Sequence, residues 1–488
     1  MKNLKDILYK VAIKEVFGVT DLYVNQLIFD SRNVKKNDVF IALKGVSVDG
    51  HVYIEKAISL GAIAIICEDF PSEKKENCTY IKVADSQTAL AIMAANFYGD
   101  PSSKLILVGV TGTNGKTTVA SLLYQLFKKA GYKVGLLSTV KILVDETEFN
   151  ATHTTPDSVS INYYLEKMVN DKVNYCFMEV SSHGIHQKRT EGLSFAGGIF
   201  TNLTHDHLDY HKTFAAYRDV KKSFFDSLPK TSFVLTNIDD KNGQVMLQNT
   251  QAIKKTYALK TLADYKAKIV EKQFSGTLMN INGTEVWTKL IGEFNAYNLL
   301  AIAATAELLG LEKLEILKIL SQLDSVSGRF QYIASENQVI AIIDYAHTPE
   351  ALKNVLETIN EIRTGNKKVI TVVGCGGDRD VTKRPKMAHI SSQLSSQVIF
   401  TSDNPRSENP QTIIDEMEVG VSPENYKKTL SVLDRKQAIK IACKFAEQGD
   451  IILIAGKGHE NYQEVNGVRS HFDDLEEVTN CFNQLKKN

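Results

Sequence analysis

Short apolar runs, each trailed by a polar, glycine-bearing loop and then a stretch of helical period, recur along most of the chain. In the first hundred residues Val39–Leu43 and Ala62–Ile66 read as buried strands, with a helix over Tyr53–Leu60 between them. The cluster Gly99-Asp-Pro-Ser-Ser103 closes this unit as a loop. From Lys104 the rhythm becomes regular. Predicted strands at Leu105–Val110, Val134–Leu137, Cys176–Val180, Gly198–Thr201 and Phe233–Leu235 alternate with helical stretches, and a long helix, Ala296–Leu309, ends the series. After a linker at Gly328-Arg-Phe a second series follows: strands at Val339–Asp344, Val369–Val373, Val398–Thr401 and Ile451–Ile454, with helices over Glu350–Ile362 and Lys436–Glu447. Strands alternating with helices imply βαβ units and mostly parallel sheets. The pattern therefore predicts an α/β protein of three domains: a mixed α/β domain over 1–102, a central parallel-sheet domain over 103–327 and a C-terminal α/β domain over 328–488. Ligands of such sheets sit at the carboxyl ends of the strands, so the loops after these strands are where chemistry is expected.

Composition adds limits. A chain of 488 residues agrees with three domains at ~150 residues each. Lys+Arg and Asp+Glu both number 57, which argues against a general polyanion binder and so against nucleic acid as a partner. The longest apolar run, Leu60–Cys67, falls far short of the ~20 residues of a membrane span. The amino terminus, Met1-Lys-Asn-Leu-Lys-Asp, lacks the apolar stretch of a secretory signal. Six cysteines are scattered without CxxC pairing, which reads as free thiols in a reducing compartment. A soluble, cytoplasmic, multidomain enzyme is the expectation from composition, and a monomer is the form expected of it.

The strongest chemical signal is Thr111-Gly-Thr-Asn-Gly-Lys-Thr-Thr118, between a predicted strand and a predicted helix. Its glycines let the backbone wrap phosphates, and amides at a helix start point at an anion. Lys116 can reach the β/γ phosphates and Thr117 can offer a hydroxyl to Mg²⁺. The strict GxxxxGK[ST] spacing fails, because Val110 occupies the first glycine position and leaves the shorter Gly112-x-x-Gly115-Lys-Thr. Glu179, at the end of a predicted strand in Met178-Glu-Val-Ser-Ser-His-Gly184, suits a Mg²⁺ ligand. Thr204-His-Asp-His-Leu-Asp-Tyr-His211 is dense in histidine and aspartate, compatible with zinc or with a phosphate-bound metal. In the last domain four polar loops each follow a predicted strand: Asp344-Tyr-Ala-His-Thr-Pro, Gly374-Cys-Gly-Gly-Asp-Arg-Asp380, Asp403-Asn-Pro-Arg-Ser-Glu408 and Gly456-Lys-Gly-His-Glu460. Four such loops in one domain point to a second binding site.

Together these motifs, with Asp30-Ser-Arg32, His153-Thr-Thr-Pro-Asp and Gly292-Glu-Phe-Asn-Ala-Tyr-Asn298, resemble the Mur ligase family over essentially the whole chain. They are most similar to its branch that adds the third residue of the peptidoglycan stem peptide. The family's loop lacks the first glycine too. The resemblance implies a P-loop ATPase-like central domain and a Rossmann-like C-terminal domain. It also implies an ATP-dependent ligase that joins an amino acid to UDP-N-acetylmuramoyl-L-alanyl-D-glutamate through an acyl phosphate. By resemblance, Gly112, Thr113, Asn114, Gly115, Lys116, Thr117, Thr118, Asn295, Asn298, Arg329 and Asp344 bind ATP. Ser31, Thr154, Thr155, Ser181, Gln187 and Arg189 hold the UDP substrate. Thr117, Glu179, His207 and Lys221 serve Mg²⁺, with Lys221 carbamylated to N6-carboxylysine, and Lys116, Glu179, His207 and Lys221 form the catalytic set. Arg379, Asp403, Asn404, Arg406, Gly456 and Glu460 take the amino acid, expected to be meso-diaminopimelate because Arg406 can fork a distal carboxylate that lysine lacks. The rivals are the same ligase using L-lysine, a folylpolyglutamate synthase-like ligase, which should lack the N-terminal UDP-sugar domain, and a nucleotide-driven switch that hydrolyses ATP without ligation.

Overall fold

The computed structural model describes residues 1–45, 48–206 and 208–485. Three large sheets organise them. The N-terminal sheet runs Ile13–Phe17, Thr79–Val83, Ala64–Cys67, Val39–Ile41, Leu27–Ile28 and is parallel except at its first pair. Its core gathers Val39, Ile41, Ile66 and Ile81 against Leu4, Ile7 and the helix Ser86–Phe97.

The central sheet has eleven strands. Strand Ile106–Thr111 lies between Tyr175–Glu179 and Gly197–Phe200, parallel to both. A parallel sheet must be covered on both faces. One face is covered by Lys116–Lys129 and Glu293–Leu308, which bury Val119, Leu123, Leu126, Leu299 and Ile302. The other packs on Ser158–Asn170 and Phe214–Asp226 through Ile161, Leu165, Phe224 and Phe225. The helix Glu293–Leu308 is apolar nearly all round because it is buried nearly all round. The sheet is mostly parallel, as the alternation of strands and helices implies, and antiparallel strands extend it at both ends. Strands Tyr265–Gln273, Gly276–Ile281 and Thr284–Thr288 extend one end as an antiparallel meander, and Ile142–Val144 with Thr147–Phe149 extend the other. These hairpins close through local turns and need no crossover helix.

The C-terminal sheet runs Gln331–Ala334, Ile340–Asp344, Ile451–Ala455, Val369–Val373, Gln397–Phe400, Thr429–Ser431, antiparallel only at its first pair. Four adjacent parallel strands thus end along one edge, and the four polar loops singled out in the sequence leave from that edge. The segment between the second and third sheets is packed: Phe330 is buried against Phe294, and its N–H donates to Asp344 Oδ2 at 2.7 Å. All six cysteines are free and buried. Among the described residues no helix is long and apolar enough to cross a membrane.

Candidate active site

The loop after the central strand turns on two glycines, Gly112 (φ +151) and Gly115 (φ +87). A Cβ on Gly115 would sit 2.6 Å from Asn298 Oδ1, so the loop backbone lies directly on the helix Glu293–Leu308. The neighbouring strand end braces it: the Thr113 N–H donates to Asn202 O at 2.8 Å and the Asn114 N–H to Asn202 Oδ1 at 2.9 Å. Lys116 curls over its own loop and donates to the carbonyls of Gly112 (3.0 Å) and Thr113 (2.8 Å). Enclosure by protein lowers its pKa, while Glu179 and Asp206 pull the other way.

Thr117 stands between two elements. Its hydroxyl donates to Glu179 Oε2 at 3.0 Å and accepts from Arg329 Nη2 at 3.1 Å. Glu179 is buried, its other oxygen accepts from the Thr139 N–H at 2.7 Å, and among the described residues it has no ion-pair partner. A buried carboxylate and a hydroxyl beside a phosphate loop are hard oxygen donors and fit Mg²⁺, which takes few protein ligands and completes its shell with phosphate and water. Among the described residues no group of three or more His, Cys, Asp or Glu side chains gathers to hold a metal. His207 lies outside the described residues.

Lys221 is not the exposed helical lysine that base rates favour. It is fully buried in the helix Phe214–Asp226, and its amine donates to Gly112 O at 2.8 Å. Burial, with the nearby Lys116 charge, pushes its pKa well below that of an ordinary lysine. The adjacent Lys222 is buried as well, but pairs with Asp226 at 2.6 Å.

Five of the residues expected to hold the UDP substrate crowd around the end of strand Tyr175–Glu179. The Thr155 hydroxyl donates to Glu179 O and accepts from the Ser181 N–H, both at 2.9 Å. Ser181 caps the next helix by accepting from the Gly184 N–H at 3.1 Å. Arg189 donates to Thr155 O and to Gln187 Oε1, each at 2.6 Å. Thr154 accepts from the Thr139 hydroxyl at 3.1 Å. Ser31 stands apart in the N-terminal domain and lines neither cavity described below. It follows Asp30, whose carboxyl the Arg32 side chain holds down at about 2.

Two cavities open on these elements. The first, about 430 Å³, is lined by Asn114, Gly115, Thr118, Asn298, Arg329 and Asp344 among others. Here Asn298 Nδ2 donates to Asn295 Oδ1 at 3.1 Å, and Asn295 Nδ2 donates to Ile291 O at 2.8 Å. Burial raises the Asp344 carboxyl to about 6, with the Arg329 charge opposing. The second, about 650 Å³, brings Thr154 and Asp206 of the central domain opposite Arg379, Asp403, Asn404, Arg406, Gly456 and Glu460. Arg406 sits in the left-handed region (φ +52), pinned by its N–H to Glu464 O and by the Asn466 N–H to its own carbonyl. Its guanidinium donates to Gly377 O at 2.6 Å. Glu408 is engaged elsewhere, accepting from the buried Arg384 at 2.9 Å, so it does not serve as the loop partner of Arg406. A Cβ on Gly456 (φ +116) would meet Asp403 Oδ2 at 2.5 Å, so glycine is required where the two loops touch. Lys383 and Lys386 line the same cavity and were not singled out in the sequence, where lysines opening a helix read as solvated charge. Their place just after the glycine-rich loop was the available signal.

Family models match the chain in three pieces: the Mur ligase family catalytic domain over residues 24–98, the Mur ligase middle domain over 110–306 and the Mur ligase glutamate ligase domain over 328–458. The chain is 56% identical over 473 residues to UDP-N-acetylmuramoyl-L-alanyl-D-glutamate--2,6-diaminopimelate ligase of Cytophaga hutchinsonii, covering 97% of both chains. It is 53% identical over 480 residues to the protein of that name from Bacteroides fragilis, covering 98% of this chain and 99% of that one. A solved structure of a UDP-N-acetylmuramoyl-L-alanyl-D-glutamate--2,6-diaminopimelate ligase is similar with a TM-score of 0.70 at 31% identity, over 99% of each chain. With a glycine–lysine loop beneath one cavity, four polar loops around another, and likeness of this extent along its whole length, the chain belongs to the Mur ligase family.

Proposed function

We propose that this protein is an ATP-dependent ligase that joins meso-diaminopimelate to UDP-N-acetylmuramoyl-L-alanyl-D-glutamate, in the cytoplasm and as a monomer, with boundaries between its domains near residues 102 and 327. The observation that carries the reading is the second cavity. It runs from Thr154 and Asp206 in the central domain to all six C-terminal residues expected to take the amino acid.

The chemistry follows from charge and position. A D-glutamyl carboxylate oxygen attacks the γ-phosphorus of ATP, the bond to ADP breaks, and an acyl phosphate results. The substrate amine then attacks the acyl carbon, inorganic phosphate leaves with the C–O bond pair, and the amine loses a proton. Bringing two anions together needs cations, which Lys116 and Arg329 supply from opposite domains. Mg²⁺, when bound, neutralises phosphate charge; Thr117, Glu179, His207 and a carbamate on Lys221 would hold it. Asn295, Asn298 and Asp344 line or support the nucleotide cavity on its far side. Closing the domains over the acyl phosphate keeps water from it. At the other end, the Arg406 fork matches the distal carboxylate of diaminopimelate. Glu460 suits its distal ammonium.

The test offers the enzyme ATP, the UDP-muramoyl dipeptide and equal concentrations of diaminopimelate and lysine, and reads products by mass spectrometry. The diaminopimelate product should exceed the lysine product by at least ~10-fold, since an unpaired guanidinium costs over about 1.4 kcal/mol. Lysine incorporation at parity overturns the specificity. Phosphate release independent of both co-substrates supports the switch reading instead. The folylpolyglutamate synthase reading is disfavoured by the N-terminal sheet and its family match over 24–98.

A further inference from the structure

The loop Gly456–Glu460 carries a lysine that the chemistry above does not use. Lys457 is fully buried, where lysine is rare without a partner. Its ammonium donates to Glu460 Oε2 at 3.2 Å and to Asn404 Oδ1 at 3.3 Å, and sits 5.3 Å from the centre of the Tyr462 ring. Asn404 Oδ1 also accepts from the Glu464 N–H at 2.9 Å, which fixes the amide orientation and aims Nδ2 at Glu460 Oε2, 2.7 Å away. Both contacts to Glu460 thus fall on Oε2. Among the described residues Oε1 accepts no hydrogen bond, and Glu460 lines the cavity. A second buried carboxylate, Asp403, faces the same space.

We propose that Lys457 is a positioning residue for amino-acid specificity: from beneath the cavity its ammonium aligns Asn404 and keeps Glu460 an anion that presents Oε1 to the distal ammonium of the substrate. The inference rests on the reading of the cavity as the site of a diamino acid. Two carboxylates in a buried space favour taking up a proton, and a buried cation opposes this. Burial and Asp403 do push the Glu460 carboxyl upward, while Lys457 and Asn404 act against them. The other groups facing it are the Tyr345 and Tyr462 hydroxyls and the guanidiniums of Arg435 and Arg469. Without Lys457 the carboxyl is pushed further upward and receives an ammonium less well.

The experiment uses the full-length enzyme at saturating ATP and UDP-muramoyl dipeptide, with diaminopimelate varied. Lys457→Met should raise KM for diaminopimelate by at least ~10-fold with kcat within ~3-fold and KM for ATP unchanged. The defect should shrink as pH is raised and Glu460 ionises. Lys457→Arg, which keeps the charge, should restore KM to within ~3-fold. Lys457→Met combined with Glu460→Gln should be no worse than Glu460→Gln alone, because the two act through one interaction. An unchanged KM in Lys457→Met, or fully additive losses in the double variant, overturns the assignment; if the methionine variant does not fold, Lys457→Gln enters the same cycle. Wild-type enzyme that forms no product with diaminopimelate overturns the functional reading itself, and is seen before any variant is compared.

Discussion

At the scale of single residues, burial decides what a charged side chain can do. Lys221 and Lys222 are neighbours on one helix and both are buried, yet Lys222 holds Asp226 while Lys221 reaches the phosphate loop. A neutral amine can attack CO₂ to form a carbamate with loss of a proton, and the lowered pKa of Lys221 favours that neutral form. Lys221→Ala should lose ligation, regain part of it with short carboxylic acids, and lack the carbamate ¹³C signal that labelled bicarbonate gives the wild type. Lys222→Ala should keep turnover and lose stability. The opposite pattern would assign the modification to Lys222. Asp344 makes a prediction about pH. Its carboxyl is raised to about 6 against an ordinary 3.8, so the native state holds a proton that the unfolded chain releases. Stability from this group is full below pH 4 and is lost as pH rises through 6, on the order of 2–3 kcal/mol at most. Asp344→Asn keeps an acceptor for the Phe330 N–H and should flatten the fall in stability between pH 4 and 6, measured by denaturant unfolding at several pH values.

Among elements, the phosphate loop shows how a turn sets a site. Gly115 and Gly131 both have φ near +90, at the two ends of the helix Lys116–Lys129. Around Gly131 there is open space, whereas at Gly115 a Cβ would meet Asn298 Oδ1 at 2.6 Å. Gly131→Ala should therefore cost only about 1–2 kcal/mol of backbone strain and leave turnover alone. Gly115→Ala should carry the same strain and in addition displace the loop from its neighbouring helix, raising KM for ATP by ~10-fold or more. Equal kinetic effects of the two would show that backbone strain alone matters. The hairpin missed in the sequence belongs to this scale too. Asn282-Gly283, with φ of +46 and +88, makes the tight turn between Gly276–Ile281 and Thr284–Thr288. That dipeptide is legible as a hairpin turn, but the flanking runs Thr277-Leu-Met-Asn-Ile281 and Thr284-Glu-Val-Trp-Thr288 mix polar and apolar residues and lack the continuous apolar run that marks the parallel strands.

For the whole molecule, Arg329 is the clearest tie between domains. It leaves the packed linker, stacks 4.5 Å over the Tyr345 ring and donates to Thr117 across a sequence separation of 212 residues. Arg329→Ala should lower kcat/KM for ATP by ~100-fold, about 2.7 kcal/mol, with little change in thermal midpoint. Arg329→Lys should recover little, because a lysine lacks the planar group that stacks and reaches at once. A variant with wild-type kcat/KM would remove this contact from the catalytic arrangement.

Local pattern alone placed nine parallel strands of the central and C-terminal sheets to within two residues, because buried parallel strands are written as short apolar runs and their helices as 3.6-residue periods. It also marked the loops after those strands, because a loop that must approach a ligand needs glycine and polar groups in a short span. What it could not decide was which neighbours those loops acquire. Glu408 stands two residues from Arg406 yet pairs with Arg384, and Asn404 orients Glu460 from 56 residues away. Whether Lys221 and Lys457 are solvated charges or buried working groups depends on what covers them, and the cover comes from strands and helices distant in the chain. Spacing along a sequence encodes periodicity and turns. The dielectric around a side chain, and hence its charge and partners, exists only once the sheets and helices have packed.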